Sequence, residues 1–114
     1  MTDQRFIIEM GIGTDQYGQD RTKAACKAVA HAISSAALLL FANAGVDRDK
    51  TRIQISLGTD DPNAIDTAKV AESLPFGTPE ISVTQGGLTV TNPEDGNTIV
   101  IVNAAVEVFL PKQV

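Results

Sequence analysis

The feature that most constrains the fold is a long stretch near the C-terminus in which both faces of one predicted strand are apolar. Residues 98–110 contain neither proline nor glycine and alternate between two rows of side chains. The first row consists of small aliphatic side chains: Val100, Val102, Ala104, Val106 and Val108. The second row mixes apolar and polar side chains: Ile99, Ile101, Asn103, Ala105, Glu107 and Phe109. Because both rows are largely apolar, the pattern predicts a strand that is covered on both faces.

Three more segments alternate with the period of a strand. Residues 5–12 and 52–57 have the pattern of half-buried strands. A third strand begins at Ile81, and Gly86-Gly87 either breaks it or forms a bulge before residues 88–91 continue. The turn residues 92–97 separate this part from the final strand. The chain therefore holds four or five strands.

Two segments predict helices. Residues 21–42 carry an apolar stripe at three- and four-residue steps, with Asp20 as the N-cap. A shorter helix follows Asp61, with Pro62 in its first position, and runs to about Ser73. The element order β-α-β-α-β-β-β predicts an α+β fold in which residues 1–114 form a single domain, with one sheet and two helices on one of its faces.

Two helices cannot cover both faces of such a sheet. The other face of the sheet then needs other cover, for which a second subunit is the simplest candidate. The sequence therefore predicts a homo-oligomer.

Composition excludes several classes of function. The chain has 114 residues, of which 43% are apolar and 4% aromatic, so it forms an aliphatic core. The net charge is −5, and acidic residues are interspersed among the nine lysines and arginines. Because binding to phosphate requires a basic face, neither nucleic acid nor an anionic membrane is expected as a partner.

Targeting and metal-binding signals are also missing from the sequence. Cys26 is the single cysteine, so an internal disulfide is excluded, and no cluster of cysteine and histidine has the spacing of a zinc site. The apolar run 36–42 is too short for a membrane span, and the first five residues do not resemble a signal peptide. We expect a cytoplasmic protein without a metal or another cofactor.

The most polar segment is the predicted loop 11–20, which connects the first strand to the first helix. Its candidate ligand-binding or catalytic residues all precede the helix cap: Gly11, Gly13, Asp15, Gln16, Tyr17, Gly18 and Gln19. In α/β folds such loops bind ligands, and the helix amides favour an anion. The spacing matches neither a dinucleotide fingerprint nor a P-loop. A tight turn with a capping aspartate accounts for the same residues, and the sequence leaves both interpretations open.

Other polar residues are weaker candidates. Glu107 and Asn103 share one face of the final strand, where an unpaired carboxylate would be a candidate general acid or base and a paired one would be structural. Asp60 and Asp61 could bind a hard cation, or one could cap a helix while the other is exposed. His31 is interpreted as a residue of the helix surface.

The glycine-containing segment resembles the N-terminal signature GxGxDxHG of a small conserved-hypothetical family of bacteria and plants, whose name begins with Lin. Tyr17 stands where that signature has histidine. Other stretches are similar to the same family: residues 22–25, 75–78, 86–88 and 102–108. The resemblance implies a role for Gly11, Gly13, Asp15 and Gly18 without specifying the chemistry.

The element order also resembles the trimeric fold of the bacillus-type chorismate mutases and the reactive-imine deaminases. This resemblance implies a trimer with ligand sites in clefts between subunits. Chorismate mutase activity itself is not expected, because the chain has four arginines and none lies in the third or final strand.

Two functions from different classes follow. The first is a homotrimeric enzyme or binding protein that acts on a small polar metabolite, such as a cyclic amide, an imine or a carboxylate. In it, Asp15 or Glu107 would be the acid or base, Tyr17 a donor, and Asn103 part of the cleft. The second is a non-catalytic interaction or scaffold module. A metabolite sensor would differ from the first in lacking turnover.

Overall fold

One mixed sheet carries two helices in the computed structural model, which describes residues 3–16, 19–34, 51–74 and 79–111. The elements in chain order are β1 (Asp3–Asp15), α1 (Arg21–Ile33), β2 (Arg52–Thr59), a 3-10 turn (Pro62–Ala64), α2 (Thr67–Ser73), β3 (Pro79–Gln85), β4 (Leu88–Thr91) and β5 (Thr98–Pro111). This order confirms the predicted α+β fold with its β-α-β-α-β-β-β sequence of elements. Within the described residues α1 ends at Ile33 with Ser34 as C-cap, and the rest of the helix predicted to residue 42 lies outside them.

The long strand β5 lies inside the sheet and has neighbouring strands on both edges. The strand order is β1-β5-β2-β3, and β4 also pairs with β5. Strand β5 runs antiparallel to β1, β2 and β4, whereas β2 and β3 are parallel. One edge of β5 is shared, because β2 pairs with it as far as Asn103 and β4 continues the pairing from Ile101.

The core lies between the sheet and the helices. The first row of β5, from Val100 to Val108, is buried, and so is the matching row of β2: Ile53, Ile55 and Leu57. Helix α1 covers β1 and β5 with its alanines and Val29, and Val70 of α2 closes the core beside it. Because burial of apolar surface is the main stabilising contribution, these rows determine which face of the sheet carries the helices.

Strand β1 continues to Asp15, three residues beyond the predicted end, so Gly11 and Gly13 lie inside a strand and not in a loop. Both face α1 at very short range. A methyl group at Gly11 would overlap the carbonyl oxygen of Ala28 and lie 2.6 Å from the backbone nitrogen of Ala32. The absence of side chains at Gly11 and Gly13 therefore permits the close approach of helix and strand.

The second helix starts later than predicted. Residues 62–64 form a 3-10 turn after Asp61, whose side chain makes no capping hydrogen bond. The side chain of Asp66 caps α2 instead, by accepting hydrogen bonds from the backbone amides of Ala68 and Lys69 at 3.1 and 3.3 Å. Because Ile65 turns into the core, the chain leaves the helical path between the two segments.

The sheet face opposite the helices, called the outer face below, exposes large apolar side chains. On β1 the residues Ile8, Met10 and Ile12 form a line, called the β1 row, and Met10 is 66% exposed. Phe6 is also exposed at a bulge beside this row. The remaining exposed large side chains lie at the opposite end of the sheet: Leu88, Val90 and Ile99. The described part of the chain thus leaves the outer face without a covering layer.

Candidate functional site

The densest polar cluster lies where β1 and β2 end and α1 begins. At its centre, Arg21 holds Asp60 with two hydrogen bonds, one from Nε and one from Nη2, each 2.9 Å long. Nη1 of the same guanidinium donates to the backbone carbonyl of Gln19 at 3.0 Å. Both side chains are mostly buried, so the pair is partly shielded from water. Arg21 therefore ties the start of α1 to the end of β2.

Asp60 also receives hydrogen bonds from Thr89 of β4 and from Thr59 at the end of β2. The hydroxyl of Thr89 donates to Oδ2 at 2.7 Å, and that of the buried Thr59 lies 3.4 Å from Oδ1. Nε2 of Gln85 donates to the Asp60 carbonyl at 3.0 Å. The hydrogen bonds from Arg21, and next those from Thr89, hold the pKa of Asp60 far below its usual range. Asp60 is therefore ionised near neutral pH and unsuited to proton transfer there.

Asp15, a predicted catalytic residue, contacts Asp20, the residue that precedes Arg21 of this cluster. Its side chain is 9% exposed, and Oδ2 accepts a hydrogen bond from the backbone amide of Asp20 at 2.9 Å. Lys23 lies 3.9 Å from Oδ1. Asp20 in turn caps α1 by accepting from the Lys23 amide at 3.1 Å, as predicted. Asp15 thus stabilises the connection between β1 and α1 by a hydrogen bond, and the Lys23 ammonium group lies close to its carboxylate.

Glu107 and Asn103 lie elsewhere, on the outer face of β5. The Glu107 carboxylate pairs with Nη1 of Arg5 on the neighbouring strand at 3.3 Å. The partner thus comes from the same chain, and Asn103 is exposed opposite Ile12 and Gly58. Their neighbours Ile8 and Ile12 on β1 are exposed as well, so a second molecule can contact this part of the sheet.

The structure does not bring Asp15 and Glu107 together within one chain. Asp15 faces the helices, whereas Glu107 is on the outer face. Asp15 is paired with Val100, seven residues from Glu107 along β5, which corresponds to roughly 23 Å at the rise of a strand. A site that uses both carboxylates would therefore have to combine two subunits.

The remaining predicted site residues fall into two groups. Gln16 and Gln19 are exposed, and Gln19 has a positive φ of 49° just before the helix cap. Tyr17 and Gly18 lie outside the described residues. Among the described residues no group of three or more His, Cys, Asp or Glu side chains could hold a metal ion.

Sequence reasoning missed Arg21 and Thr89 and did not connect Asp60 with either. One signal in the sequence could have indicated that Arg21 has an acidic partner. Arg21 directly follows the capping Asp20, and the first turn of a helix ordinarily disfavours positive charge. The partners are 39 and 29 residues apart in the chain. Only the pairing of β4 with β5 brings Thr89 to Asp60.

The architecture defines a small α+β protein with one mixed sheet, helices on one face and an uncovered apolar face. The family model for conserved hypothetical proteins called Lin0512_fam matches residues 5–108. The chain belongs to this family.

A solved structure agrees with the fold over nearly the whole chain. It is a crystal structure described as an FtsZ-like protein of unknown function from Nostoc punctiforme, with 32% sequence identity and a TM-score of 0.81. The match covers 98% of this chain and 99% of that one. No curated protein matches the chain. No helix in the described ranges is long and apolar enough to cross a membrane.

Proposed function

We propose that the protein works as a homotrimer that buries the outer face between subunits and binds a small polar metabolite in the clefts formed there. The observation that carries the proposal is the exposed apolar surface of β1, β4 and β5. The ligand class remains the one expected from the sequence, namely a cyclic amide, an imine or a carboxylate.

The amount of exposed apolar surface supports the assembly. Seven large apolar side chains are at least one-third exposed, among them Phe6 and Met10. At roughly 100 Å² for each, they offer on the order of 700 Å². This surface is divided between β1 and the opposite end of the sheet, and the two parts together approach the roughly 800 Å² that each partner contributes to a standard interface. Self-association is the simplest way to bury such a surface.

The polar side chains on the outer faces of β5, β2 and β3 support a polar ligand. Beside the β1 row, β5 presents Asn103, and the next strands present Ser56 and Ser82 in register with Ala105. Hydroxyl and amide groups recognise a small polar molecule by hydrogen bonds once a second subunit covers the neighbouring β1 row. Such a cleft could also unite Glu107 of one subunit with Asp15 of another.

A non-catalytic interaction module is the second candidate, and the pairing of the carboxylates favours it. Asp15 closes a connection, Asp60 is held by Arg21, and Glu107 pairs with Arg5. An acid or base in catalysis has to reach the proton of a substrate, whereas these contacts already engage each carboxylate within the chain. In this alternative the same outer face binds another copy, and no turnover follows.

The test of the assembly is the mass in solution, measured by light scattering on a size-exclusion column. For a chain of 12.0 kDa we expect a trimer of three times that mass, about 36 kDa. Met10→Glu places a charge in the apolar surface and should yield a folded monomer. Ala30→Glu adds the same charge on the exposed side of α1 and should remain trimeric. A wild-type monomer at micromolar concentration would refute the proposal.

The ligand part has its own test. Compounds of the three chemical classes are screened against the trimer by thermal shift, and hits are repeated with Asn103→Ala. A hit whose stabilisation disappears in this variant supports a site in the cleft. Hits that stabilise Asn103→Ala and the wild type equally, or the absence of any hit from the three classes, favour the interaction module.

A further inference from the structure

We infer that the hairpin formed by β4 and the start of β5, residues 88–101 and called the arm below, docks on the β1 row of a neighbouring subunit. This inference rests on the proposed homotrimer and specifies which surfaces meet in it. The occupant of the β1 row is thus a second copy of this chain, and each subunit both gives an arm and receives one.

The arm extends beyond the rest of the sheet. Strand β1 stops at Asp15, opposite Val100, and past that pair Ile99 and Thr98 are paired with Val90 and Thr91 of β4. The described residues span 58 Å in one direction and 26 and 20 Å in the others, which reflects the length of β5 and its turn. All four residues of β4 are exposed.

The two faces of the arm differ in chemistry. Alternation places three threonines on the side of the helices: Thr89, Thr91 and Thr98. The outer side carries Leu88, Val90 and Ile99, of which Leu88 is 58% exposed. A two-stranded ribbon is marginally stable in water when it stands alone. The apolar side therefore gains stability from a partner, while the threonine side suits solvent.

The symmetry of a trimer explains why the arm meets the β1 row and not a second arm. A ring of three is closed by heterologous contacts, in which two different patches of each subunit meet. The outer face offers two such apolar patches, the arm and the β1 row, and the polar residues Thr14 and Asn103 lie between them. In one chain Val90 and Met10 are roughly 20 Å apart by strand rise, so the two patches cannot cover each other.

Charge supports the same arrangement. The turn of the arm carries Glu94 and Asp95, both exposed. Arg5, which is 52% exposed although it pairs with Glu107 of its own chain, lies near the N-terminal end of β1, beyond the β1 row. An arm laid along that row, with its base near Ile12, places its acidic turn near Arg5. The complementarity matters because the chain has a net charge of −5 and copies would otherwise repel each other.

The first experiment is a cross-linking test in the variant Cys26→Ser, which removes the single cysteine. Met10→Cys and Val90→Cys are introduced together and treated with a short bis-maleimide. We expect dimers and trimers on a denaturing gel, since the reagent cannot bridge the two positions within one chain. The matched control combines Met10→Cys with Thr91→Cys, on the threonine side of the arm, and should remain uncross-linked.

The second experiment measures the mass of arm variants that keep strand-forming residues. Val90→Thr with Ile99→Thr removes apolar contact and should weaken association by at least about tenfold, as the loss of two buried apolar side chains implies. Thr91→Ser with Thr98→Ser, on the other side, should associate as the wild type does.

The outcomes separate this inference from the proposal on which it rests. A wild-type monomer refutes both. A trimer that Met10→Glu dissociates, but that forms no cross-link between positions 10 and 90 and is insensitive to Val90→Thr with Ile99→Thr, refutes the arm alone. Cross-links in the variant that combines Met10→Cys with Val90→Cys, absent in the control, support it.

Discussion

The Arg21 guanidinium and the Asp60 carboxylate lie edge to edge, with Nε 2.9 Å from Oδ1 and Nη2 2.9 Å from Oδ2. The two residues are 39 positions apart, so the pair ties together parts of the chain that folding must first bring into contact. Thr89 adds a hydrogen bond to the same carboxylate from the base of the arm. This corner of the molecule therefore joins α1, β2 and β4.

Asp60→Asn should lower the free energy of unfolding by about 1 kcal/mol near neutral pH, a value that allows for screening by solvent. Because folding lowers the pKa of Asp60 below its ordinary value of 3.8, its contribution is complete above that value and is lost as the pH falls below it. Denaturant unfolding of the wild type and of Asp60→Asn, from about pH 2.5 to about pH 7, measures the difference. It should be constant above about pH 5 and shrink below about pH 4.

A double-mutant cycle assigns this effect to the pair. Arg21→Gln and Asp60→Asn should each destabilise the protein, and the double variant should cost less than the sum of the two. Additive effects would show that the carboxylate contributes through Thr89 or the backbone and not through Arg21.

Gly11→Ala should destabilise the protein severely, by about 3 kcal/mol or more, because the new methyl group meets the backbone of α1 at Ala28 and Ala32. Thermal or urea unfolding measures the change. Gly96→Asn is the control, since Gly96 has a φ of 74° and open space, and asparagine tolerates that conformation. Equal stability of Gly11→Ala and the wild type would contradict the close helix contact.

Asp15→Asn should retain most of the stability, whereas Asp15→Ala should cost about 1–2 kcal/mol. The amide oxygen of asparagine can still accept from the Asp20 backbone nitrogen, but alanine leaves that donor without its partner. Urea unfolding of both variants tests the difference. If the two are equally destabilised, the charge and its contact with Lys23 matter more than the hydrogen bond.

His31→Ala should accelerate hydrogen exchange at the Ile12 amide, with little change in stability. Strand β1 is at the edge of the sheet, and the Ile12 N–H donates to Nδ1 of His31 at 3.0 Å. Exchange measured by NMR should rise at Ile12 and stay unchanged at Val102 in the central strand. Ala30→Ser, on the neighbouring exposed position, controls for changes in α1 and should leave Ile12 protected.

Lys27 caps the same edge, because its Nζ donates to the Thr14 carbonyl at 3.1 Å. Together with His31 it occupies polar backbone groups of β1 that would otherwise invite pairing with another strand. The sequence interpretation of His31 as a residue of the helix surface is thus confirmed, and the structure adds the backbone group that it contacts.

The sequence predicted the elements best where the alternation is long and unambiguous. The two apolar rows of β5 predicted a strand that is covered on both faces, and the described residues bury the row from Val100 to Val108. The sequence pattern placed the end of β1 too early, because Gly11 and Gly13 are typical of loops. The reason for both glycines is a helix backbone that packs against them, which local patterns do not contain.

The candidate site could be predicted less well. Asp20 as a cap was correct, since capping depends on residues three positions apart. The sequence offers Asp15 or Glu107 as the acid or base of one cleft, yet the two side chains face opposite sides of the sheet. The pairing of Arg21 with Asp60 and of Arg5 with Glu107 depends on strand order, and strand order has no local signal.

The sequence by itself determined the periodicities, the cap of α1 and the excess of apolar surface, because each depends on residues close together in the chain. The tertiary structure alone decided which strands are neighbours, how closely α1 approaches β1, and which charges meet. Those relationships arise from burying one face of the sheet, a free-energy gain that belongs to the whole domain and not to any segment. The same burial leaves Met10 and Leu88 exposed on the other face.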